Sequence, residues 1–249
     1  MHSNLATVDV VQQPICLSMI GDFQLRCAAE SVTVAPSSQR VICFLALQGG
    51  PVRRSYVSGS LWFDATESRA CASLRSALWR IPNAARKEVV HGSSTHIWLN
   101  PDVDVDLRRV VALAHAVLKH DSAGETVLDV TQELCMFADD LLVGWCDDWV
   151  ILERERLRQL RLHALDLLGE QLLSAGRYSD ALEVGFAAVA AEPLRESAHR
   201  LLVRTHLRES NCAEALRQYR SYASMLRDEL AISPSETMVA LVRDYLDPS

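Results

Sequence analysis

The side chains with the clearest chemical potential lie on one face of a predicted helix between Glu67 and Ile81. That face carries Arg69, Ser73, Arg75, Ser76, Trp79 and Arg80. A guanidinium group is a planar fork of N–H donors, which suits paired hydrogen bonds to phosphate or to the O6 and N7 atoms of guanine. The pattern indicates a surface that binds double-stranded DNA. For each arginine taken singly, an ordinary solvated helix face is the alternative.

Other cationic and polar side chains lie where contacts to the DNA backbone are expected. Free N–H groups at helix starts attract phosphate, and a hairpin tip can reach neighbouring phosphates or the minor groove. The predicted contacts are Arg40, Arg53, Arg54 and Ser55 near helix starts, and Ser93, Ser94, Thr95 and His96 at a hairpin tip.

The elements around these residues follow the order sheet, three helices and hairpin. Alternating residues over 15–26, and Thr33-Val34, predict a small antiparallel sheet. Helices are predicted from Pro36-Ser37-Ser38 to Gly49, from Ser55 to Trp62 and from Glu67 to Ile81, the first two with a serine able to cap them. A hairpin is predicted over 89–99.

This order is typical of a winged helix-turn-helix, as in the DNA-binding domains of many response regulators. The third helix has a buried stripe at 3/4 spacing, formed by Ala70, Leu74, Ala77, Leu78 and Ile81. Its outer face is then available to enter a major groove about 12 Å wide. We expect residues 1–14 to be a flexible leader without the features of a secretory signal, and residues 15–106 to be the DNA-binding domain.

Residues 107–249 are predicted to be all-helical and tetratricopeptide-like. Helices are expected at Leu107–His120 and Thr126–Met136, followed by a long helix from Asp147-Asp148 to Gly176. A set of small and apolar residues repeats after 34 positions: Leu168, Ala181 and Leu182 correspond to Leu202, Ala215 and Leu216. Stacked helical hairpins of this kind bind protein partners and seldom perform chemistry.

The charge distribution divides the chain in the same way. Residues 15–100 contain nine Arg/Lys against five Asp/Glu, whereas residues 101–249 contain 16 against 26, within a total of −7. A basic part joined to an acidic part suits a nucleic-acid-binding module attached to a protein-binding one. The composition, 49% hydrophobic and 23% charged, is that of a globular protein, and no apolar run has the length of about 20 residues that a membrane span needs.

No motif predicts an enzyme, a cofactor or a metal site. The seven cysteines are scattered singly, which indicates reduced thiols and a cytoplasmic protein. Gly49-Gly50-Pro51 lacks the lysine of a phosphate-binding loop. His91 and His96 flank a hairpin tip and have no third ligand nearby. His199 and His206 lie seven residues apart on one helical face and are predicted to be ordinary core or surface residues. Trp145 and Trp149, with Asp139, Asp140, Asp147 and Asp148, are either core or a small ligand or partner site.

The combined motifs resemble the Streptomyces antibiotic regulatory proteins over about residues 15–240. In the first half the resemblance is carried by Ser37 to Leu47, Leu61-Trp62-Phe63-Asp64, Arg69 to Arg80, and Leu99 to Asp106. In the second half it is carried by the bacterial transcriptional activation domain motifs Gly144-Trp145, Asp148-Trp149, Glu153 to Arg156, Gly176-Arg177-Tyr178, Glu192 to Glu196 and Gln218-Tyr219.

This resemblance implies a cytoplasmic, nucleoid-associated activator of a secondary-metabolite gene cluster. Members of the family bind direct repeats near promoters as head-to-tail pairs and recruit RNA polymerase holoenzyme. One feature departs from the family pattern: Pro82-Asn83 follows Ile81 where the family continues its recognition helix with a basic residue. A different class of function is also open, a helical-repeat adaptor for protein partners whose N-terminal domain only dimerises.

Overall fold

In the computed structural model the chain divides into two compact units, Met1–Leu107 and Arg108–Ser249. The structure describes residues 15–27, 30–82, 89–119, 137 and 139–246. The first unit combines small sheets with helices and the second is built mainly from helices, as the sequence predicted. The leader predicted at 1–14 and the helix predicted at Thr126–Met136 lie outside the described residues. No helix among the described residues is both long and apolar enough to cross a lipid bilayer.

The described part of the first unit contains seven strands and three helices. The strands are β1 (Ile15–Ser18), β2 (Gln24–Cys27), β3 (Glu30–Ser31), β4 (Val52–Arg53), β5 (Val90–Gly92), β6 (His96–Leu99) and β7 (Val103–Val105). The helices are α1 (Pro36–Gln48), α2 (Arg54–Leu61) and α3 (Glu67–Trp79). The strands form a four-stranded sheet in the order β3-β2-β1-β7 and a three-stranded sheet in the order β4-β6-β5.

The first sheet differs from the sequence prediction in two strands. The prediction of an extended piece at Thr33-Val34 was wrong, since the third strand is Glu30–Ser31. Val34 instead lies in the segment that leads into α1, and its carbonyl accepts a hydrogen bond from the Gln39 side chain at 2.9 Å. The strand β7, which pairs in parallel with β1, was not predicted because its pairing partner lies almost ninety residues away.

The serine caps predicted for the first two helices were also wrong. The residue before α1 is Ala35, with no side-chain cap, and Pro36 takes the first helical position, where it has no N–H to satisfy. The residue before α2 is Arg53, again with no side-chain cap. The Arg54 N–H bonds instead to the carbonyl of Thr95 in the hairpin at 2.9 Å, so tertiary structure supplies the partner.

The helix α1 is the centre of the first core. Every residue from Val41 to Ala46 is buried. The helix contacts α2, α3 and β6, so it meets neighbours on several sides. It ends at Gly49, which adopts a left-handed conformation (φ 69°) that favours glycine.

The second unit contains six helices within the described residues. They are α4 (Asp106–Lys119), α5 (Asp148–Ser174), α6 (Tyr178–Ala191), α7 (Glu196–Arg208), α8 (Cys212–Leu230) and α9 (Glu236–Leu246). The first of them begins at the boundary between the units. The long predicted helix is confirmed in α5, whose 27 residues extend over about 40 Å.

The repeat predicted from the sequence is confirmed as a stack of helical hairpins. Successive helices from α5 to α8 pack against one another, and the repeated positions Leu168, Ala181, Leu202 and Ala215 are buried. Glycine allows the closest approaches: a Cβ atom on Gly169 would overlap the Leu201 side chain, and one on Gly185 would lie 2.6 Å from Leu202 Cδ2. Small residues therefore set the spacing between the hairpins.

Candidate nucleic-acid interface

The inner face of α3 attaches the helix to the core. Ala70, Leu74 and Ala77 are buried, and Ile81, just after the helix, is buried with them. Leu78 is only partly buried. The predicted stripe therefore faces the interior, which leaves the other side of the helix to solvent.

The outer face of α3 has the composition that the sequence predicted. The side chains of Trp79 and of Arg69, Arg75, Ser76 and Arg80 are exposed, and Ser73 is partly buried. Trp79 is a large aromatic residue, yet 76% of its surface is exposed. An exposed tryptophan among arginines combines an aromatic surface with charged hydrogen-bond donors, a pairing that suits contact with bases and phosphates.

The carboxyl end of α3 lies two residues earlier than the sequence predicted. The helix stops at Trp79, and Arg80 follows as its cap with its N–H bonded to the Ser76 carbonyl at 3.1 Å. The prediction that it continues to Ile81 was wrong, because a residue that precedes proline is disfavoured in the helical conformation. Arg80 therefore lies at the end of the exposed face rather than within a further turn.

The predicted hairpin is confirmed and has an ordered polar tip. The Ser93 N–H donates to the His96 carbonyl at 2.8 Å, and the Ser93 hydroxyl oxygen accepts the N–H of His96 at 3.0 Å and that of Thr95 at 3.3 Å. The Thr95 hydroxyl and His96 Nδ1 are 2.9 Å apart. Ser93, Ser94 and Thr95 are exposed and His96 is partly buried, so the tip presents small polar groups to solvent.

The start of α2 lies against this tip. The Arg54 Nε–H donates to the Ser93 carbonyl at 2.9 Å, and Arg53 pairs across the sheet with His96. Arg53 and Ser55 are exposed. The predicted contacts Arg53, Arg54 and Ser55 are thus brought to the base of the hairpin.

Arg40 is placed elsewhere, at the carboxyl end of α2. Its Nη2 donates to the Leu61 carbonyl at 2.8 Å, and its guanidinium carbon lies 5.9 Å from the centre of the Trp62 ring. The last carbonyls of a helix lack partners within the helix and carry partial negative charge, so a guanidinium is stabilised there. Arg40 therefore joins α1 to α2, and its predicted contact with DNA stays a prediction.

A cleft of about 460 Å³ lies between α3 and the hairpin. It brings together three predicted contacts, Arg54, Arg75 and Trp79, with five residues that the sequence did not indicate as DNA contacts: Leu78, Val90, His91, Gly92 and Ile97. His91 is the notable omission, and its position in the hairpin was the available signal. Its ring lies edge-on to Trp98, with centroids 6.1 Å apart. The cleft therefore adds an imidazole to the arginine and tryptophan surface.

The histidines of the hairpin are not arranged as metal ligands. His91 pairs across the hairpin with Trp98, whereas His96 pairs with Arg53. Within the part of the chain that the structure describes, no three or more His, Cys, Asp or Glu residues are grouped to hold a metal ion.

The tryptophan and aspartate region before α5 is organised by two arginines. Arg154 donates to the carbonyls of Leu141 at 2.9 Å and Leu142 at 2.7 Å. Arg161, only 5% exposed, donates to the Asp139 carbonyl at 2.7 Å, and burial lowers the pKa of its guanidinium. These bonds fix the loop to the helix. Trp145 and Trp149 are partly buried and Asp139, Asp140 and Asp148 are exposed, so both interpretations of this region stay open.

His199 is a core residue, as one of the sequence interpretations held. It is 2% exposed and its ring stacks on Tyr222 with centroids 4.2 Å apart. Its Nε2 lies 2.8 Å from the Pro193 carbonyl and its Nδ1 lies 2.8 Å from the Gln218 side-chain amide. Both ring nitrogens are thus used within the helical stack.

Comparison with known proteins identifies the second half of the chain. Residues 102–246, more than half of the chain, match the family described as bacterial transcriptional activator domain. Mycobacterium tuberculosis EmbR, solved in complex with a low-affinity phosphopeptide, is similar in fold, with a TM-score of 0.73 at 22% identity. The match covers 94% of this chain and 65% of EmbR, so the chain spans about two thirds of that protein's length. No curated protein matches the sequence. The chain belongs to the bacterial transcriptional activator domain family, as its resemblance to the Streptomyces antibiotic regulatory proteins predicted.

Proposed function

We propose that the chain activates transcription by binding specific double-stranded DNA through α3 and the adjacent hairpin. The observation that carries this proposal is the solvent-exposed face of α3, where Arg75, Trp79 and Arg80 are all exposed. A helix about 10–12 Å in diameter fits the major groove, and each well-placed arginine contributes about 1–3 kcal/mol of discrimination at guanine. The action is binding, not catalysis.

The two halves divide this work. Residues 15–106 bind DNA, and residues 107–249 bind protein partners, RNA polymerase holoenzyme among them. Two features support the division: the net charge of the first part is positive and that of the second is negative, and the second unit is a stack of helical hairpins. A basic surface is attracted to the DNA phosphates, whereas an acidic surface is repelled by them and so does not compete with the basic one for DNA.

The resemblance to the antibiotic regulatory proteins supports the remaining details of the proposal. The chain binds direct repeats near promoters of a secondary-metabolite gene cluster, as a homodimer or head-to-tail pair on DNA. It does so in the cytoplasm, associated with the nucleoid. Two copies on one face of the duplex require repeats about 10–10.5 bp apart, or a multiple of that spacing.

Salt-dependent binding to promoter DNA tests the proposal. Fluorescence anisotropy with labelled promoter fragments from beside the gene would compare the wild type with the double variant Arg75→Ala/Arg80→Ala. Arg26→Ala, which removes an exposed arginine from β2 in the other sheet, is the matched control. We expect the double variant to lose specific binding and the control to retain it, with wild-type affinity falling steeply as salt rises.

The adaptor alternative makes the opposite prediction for the same experiment. If the first unit only dimerises, all three proteins will show the same weak affinity for every DNA sequence. Binding of a protein partner by the second unit would then continue unaffected in the double variant.

A further inference from the structure

The tip of the hairpin is tied to the first residue of α2 by two hydrogen bonds. The Arg54 backbone N–H donates to the Thr95 carbonyl at 2.9 Å, and the Arg54 Nε–H donates to the Ser93 carbonyl, also at 2.9 Å. One residue therefore holds both sides of the turn. Beneath them, Val52 and Arg53 pair with the second hairpin strand, which fixes the base of the hairpin to the same element.

The turn that Arg54 holds is short and internally bonded. Within it, Ser93 and His96 are joined by a backbone hydrogen bond, and the Ser93 hydroxyl accepts two further N–H groups. The Ser93 carbonyl is left pointing away from the turn, toward Arg54. The side-chain bond therefore sets the orientation of the whole tip and not of a single atom.

The guanidinium of Arg54 is also packed against the hairpin backbone. A Cβ atom placed on Gly92 would lie 3.0 Å from Arg54 Nη2 and 2.9 Å from Ile97 Cγ2. A side chain at position 92 would crowd both the guanidinium and the Ile97 side chain, and one or both would have to shift. Gly92 and Arg54 thus form a complementary pair on one wall of the cleft beside α3.

We propose that Arg54 is a positioning residue for the hairpin, and that it supports DNA binding by holding residues 93–96 in place. The sequence alone predicted a direct contact between Arg54 and phosphate. A loop tip is ordinarily mobile, and fixing it before binding removes an entropic cost of association. The inference rests on the proposed function in so far as it concerns DNA, but the fixed tip is a property of the free protein.

Two substitutions separate positioning from charge. In Arg54→Gln the side-chain amide nitrogen occupies the place of the arginine Nε, so the donor is kept and the charge is lost. In Arg54→Lys a methylene occupies that place and the ammonium group lies one atom farther along, so the charge is kept and the donor at the Nε position is lost. The backbone bond to Thr95 survives in both variants. The same two substitutions at Arg26, an exposed arginine of β2 in the other sheet, are the controls.

Amide hydrogen exchange of the free, full-length protein gives the first readout. We expect the amides of Ser93, Thr95 and His96 to exchange at least several-fold faster in Arg54→Lys and at the wild-type rate in Arg54→Gln. Equal exchange in Arg54→Lys and the wild type would overturn the inference. This readout requires no DNA, so its outcome is independent of whether the proposed function is correct.

Binding to promoter DNA gives the second readout. We expect Arg54→Lys to bind roughly tenfold more weakly, the effect of losing one charge-assisted hydrogen bond, and Arg54→Gln to bind nearly as the wild type does. Weaker binding by Arg54→Gln than by Arg54→Lys would make Arg54 a direct phosphate contact and overturn the inference. In that case the slope of log affinity against log salt concentration would also be smaller by about 0.9 in Arg54→Gln. Failure of the wild type to bind any promoter would refute the proposed function, while the exchange result would still decide the role of Arg54.

Discussion

The hydroxyl of Ser38 on α1 donates a buried hydrogen bond of 2.6 Å to the carbonyl of Ala77 on α3. This bond joins the central helix of the first core to the last turn of the helix whose exposed face is proposed to bind DNA. A carbonyl in the last turn of a helix has no partner within the helix, so Ser38 satisfies an acceptor that burial would otherwise leave unpaired. The position of α3 is therefore linked to the core by polar as well as apolar contacts.

Replacing Ser38 with alanine should destabilise the first unit and loosen the end of α3. The loss of a buried hydrogen bond that leaves its acceptor unsatisfied costs about 1–3 kcal/mol. Chemical denaturation would measure the free energy of unfolding, with the exposed Ser76→Ala as the control. An unfolding free energy for Ser38→Ala equal to that of the control would show that the bond contributes nothing.

Two glycine-to-alanine substitutions should change stability in opposite directions. Gly59 lies in α2, where an added Cβ atom would have no other atom within 4 Å, so alanine there should stabilise by about 0.5–1 kcal/mol through reduced backbone entropy. Gly169 lies in α5, where a Cβ would overlap buried Leu201, so alanine should destabilise by about 1–3 kcal/mol. Thermal denaturation of both variants tests the comparison. Stabilisation by Gly169→Ala would mean that the helices are not closely packed at this point.

The stability of the helical unit should fall as the solution is acidified through the range in which histidine ionises. Burial lowers the pKa of His199 below its usual 6.5, against the opposing effect of its bond to the Pro193 carbonyl. Below about pH 6.5 the unfolded chain therefore takes up a proton that the folded chain resists, and folding loses free energy. Above that pH both states are neutral and the contribution is fully present.

Denaturation at several pH values between 5 and 8 provides the measurement, with the range chosen around the histidine pKa of about 6.5. His199→Asn should show a shallower loss of stability on acidification than the wild type. Exposed His163→Asn is the control and should retain the wild-type slope. Identical slopes for all three proteins would exclude His199 as the source.

Sequence periodicity predicted those elements in which buried residues recur at regular spacing. The stripe on α3, the hairpin, the long helix and the 34-residue repeat all follow from regular spacing of apolar or small residues, which is visible in the sequence itself. The periodicity of α3 also predicts which residues form its exposed face, because these are the residues that do not belong to the buried stripe.

The features that the sequence did not predict depend on distant partners. Ser38 and Arg54 have local roles available to them, a helix cap and a phosphate contact, but their observed partners are Ala77 and Ser93, each 39 residues away. The two-residue strand β4 has too little length for a periodic signal and exists through its pairing with β6. Only the folded arrangement reveals such contacts.

The spacing of the direct repeats should determine whether two copies bind together. An insertion of about 5 bp between repeats places the second copy on the opposite face of the duplex, whereas about 10 bp restores the original face. We expect gel-shift titrations to show loss of the two-copy complex with the first insertion and partial recovery with the second. Equal two-copy binding at every spacing would contradict a head-to-tail pair.

The central claim, that α3 reads bases in the major groove, is tested most directly by removing the major-groove acceptor of individual guanines. Promoter DNA with 7-deazaguanine at single positions lacks the N7 atom to which an arginine donates. For the wild type we predict a loss of affinity of about tenfold at one or more positions. At the guanine that Arg75 contacts, Arg75→Ala should bind normal and substituted DNA with the same weak affinity. If the wild type binds normal and substituted DNA equally well at every guanine, no arginine of α3 reads guanine there, and the claim is contradicted.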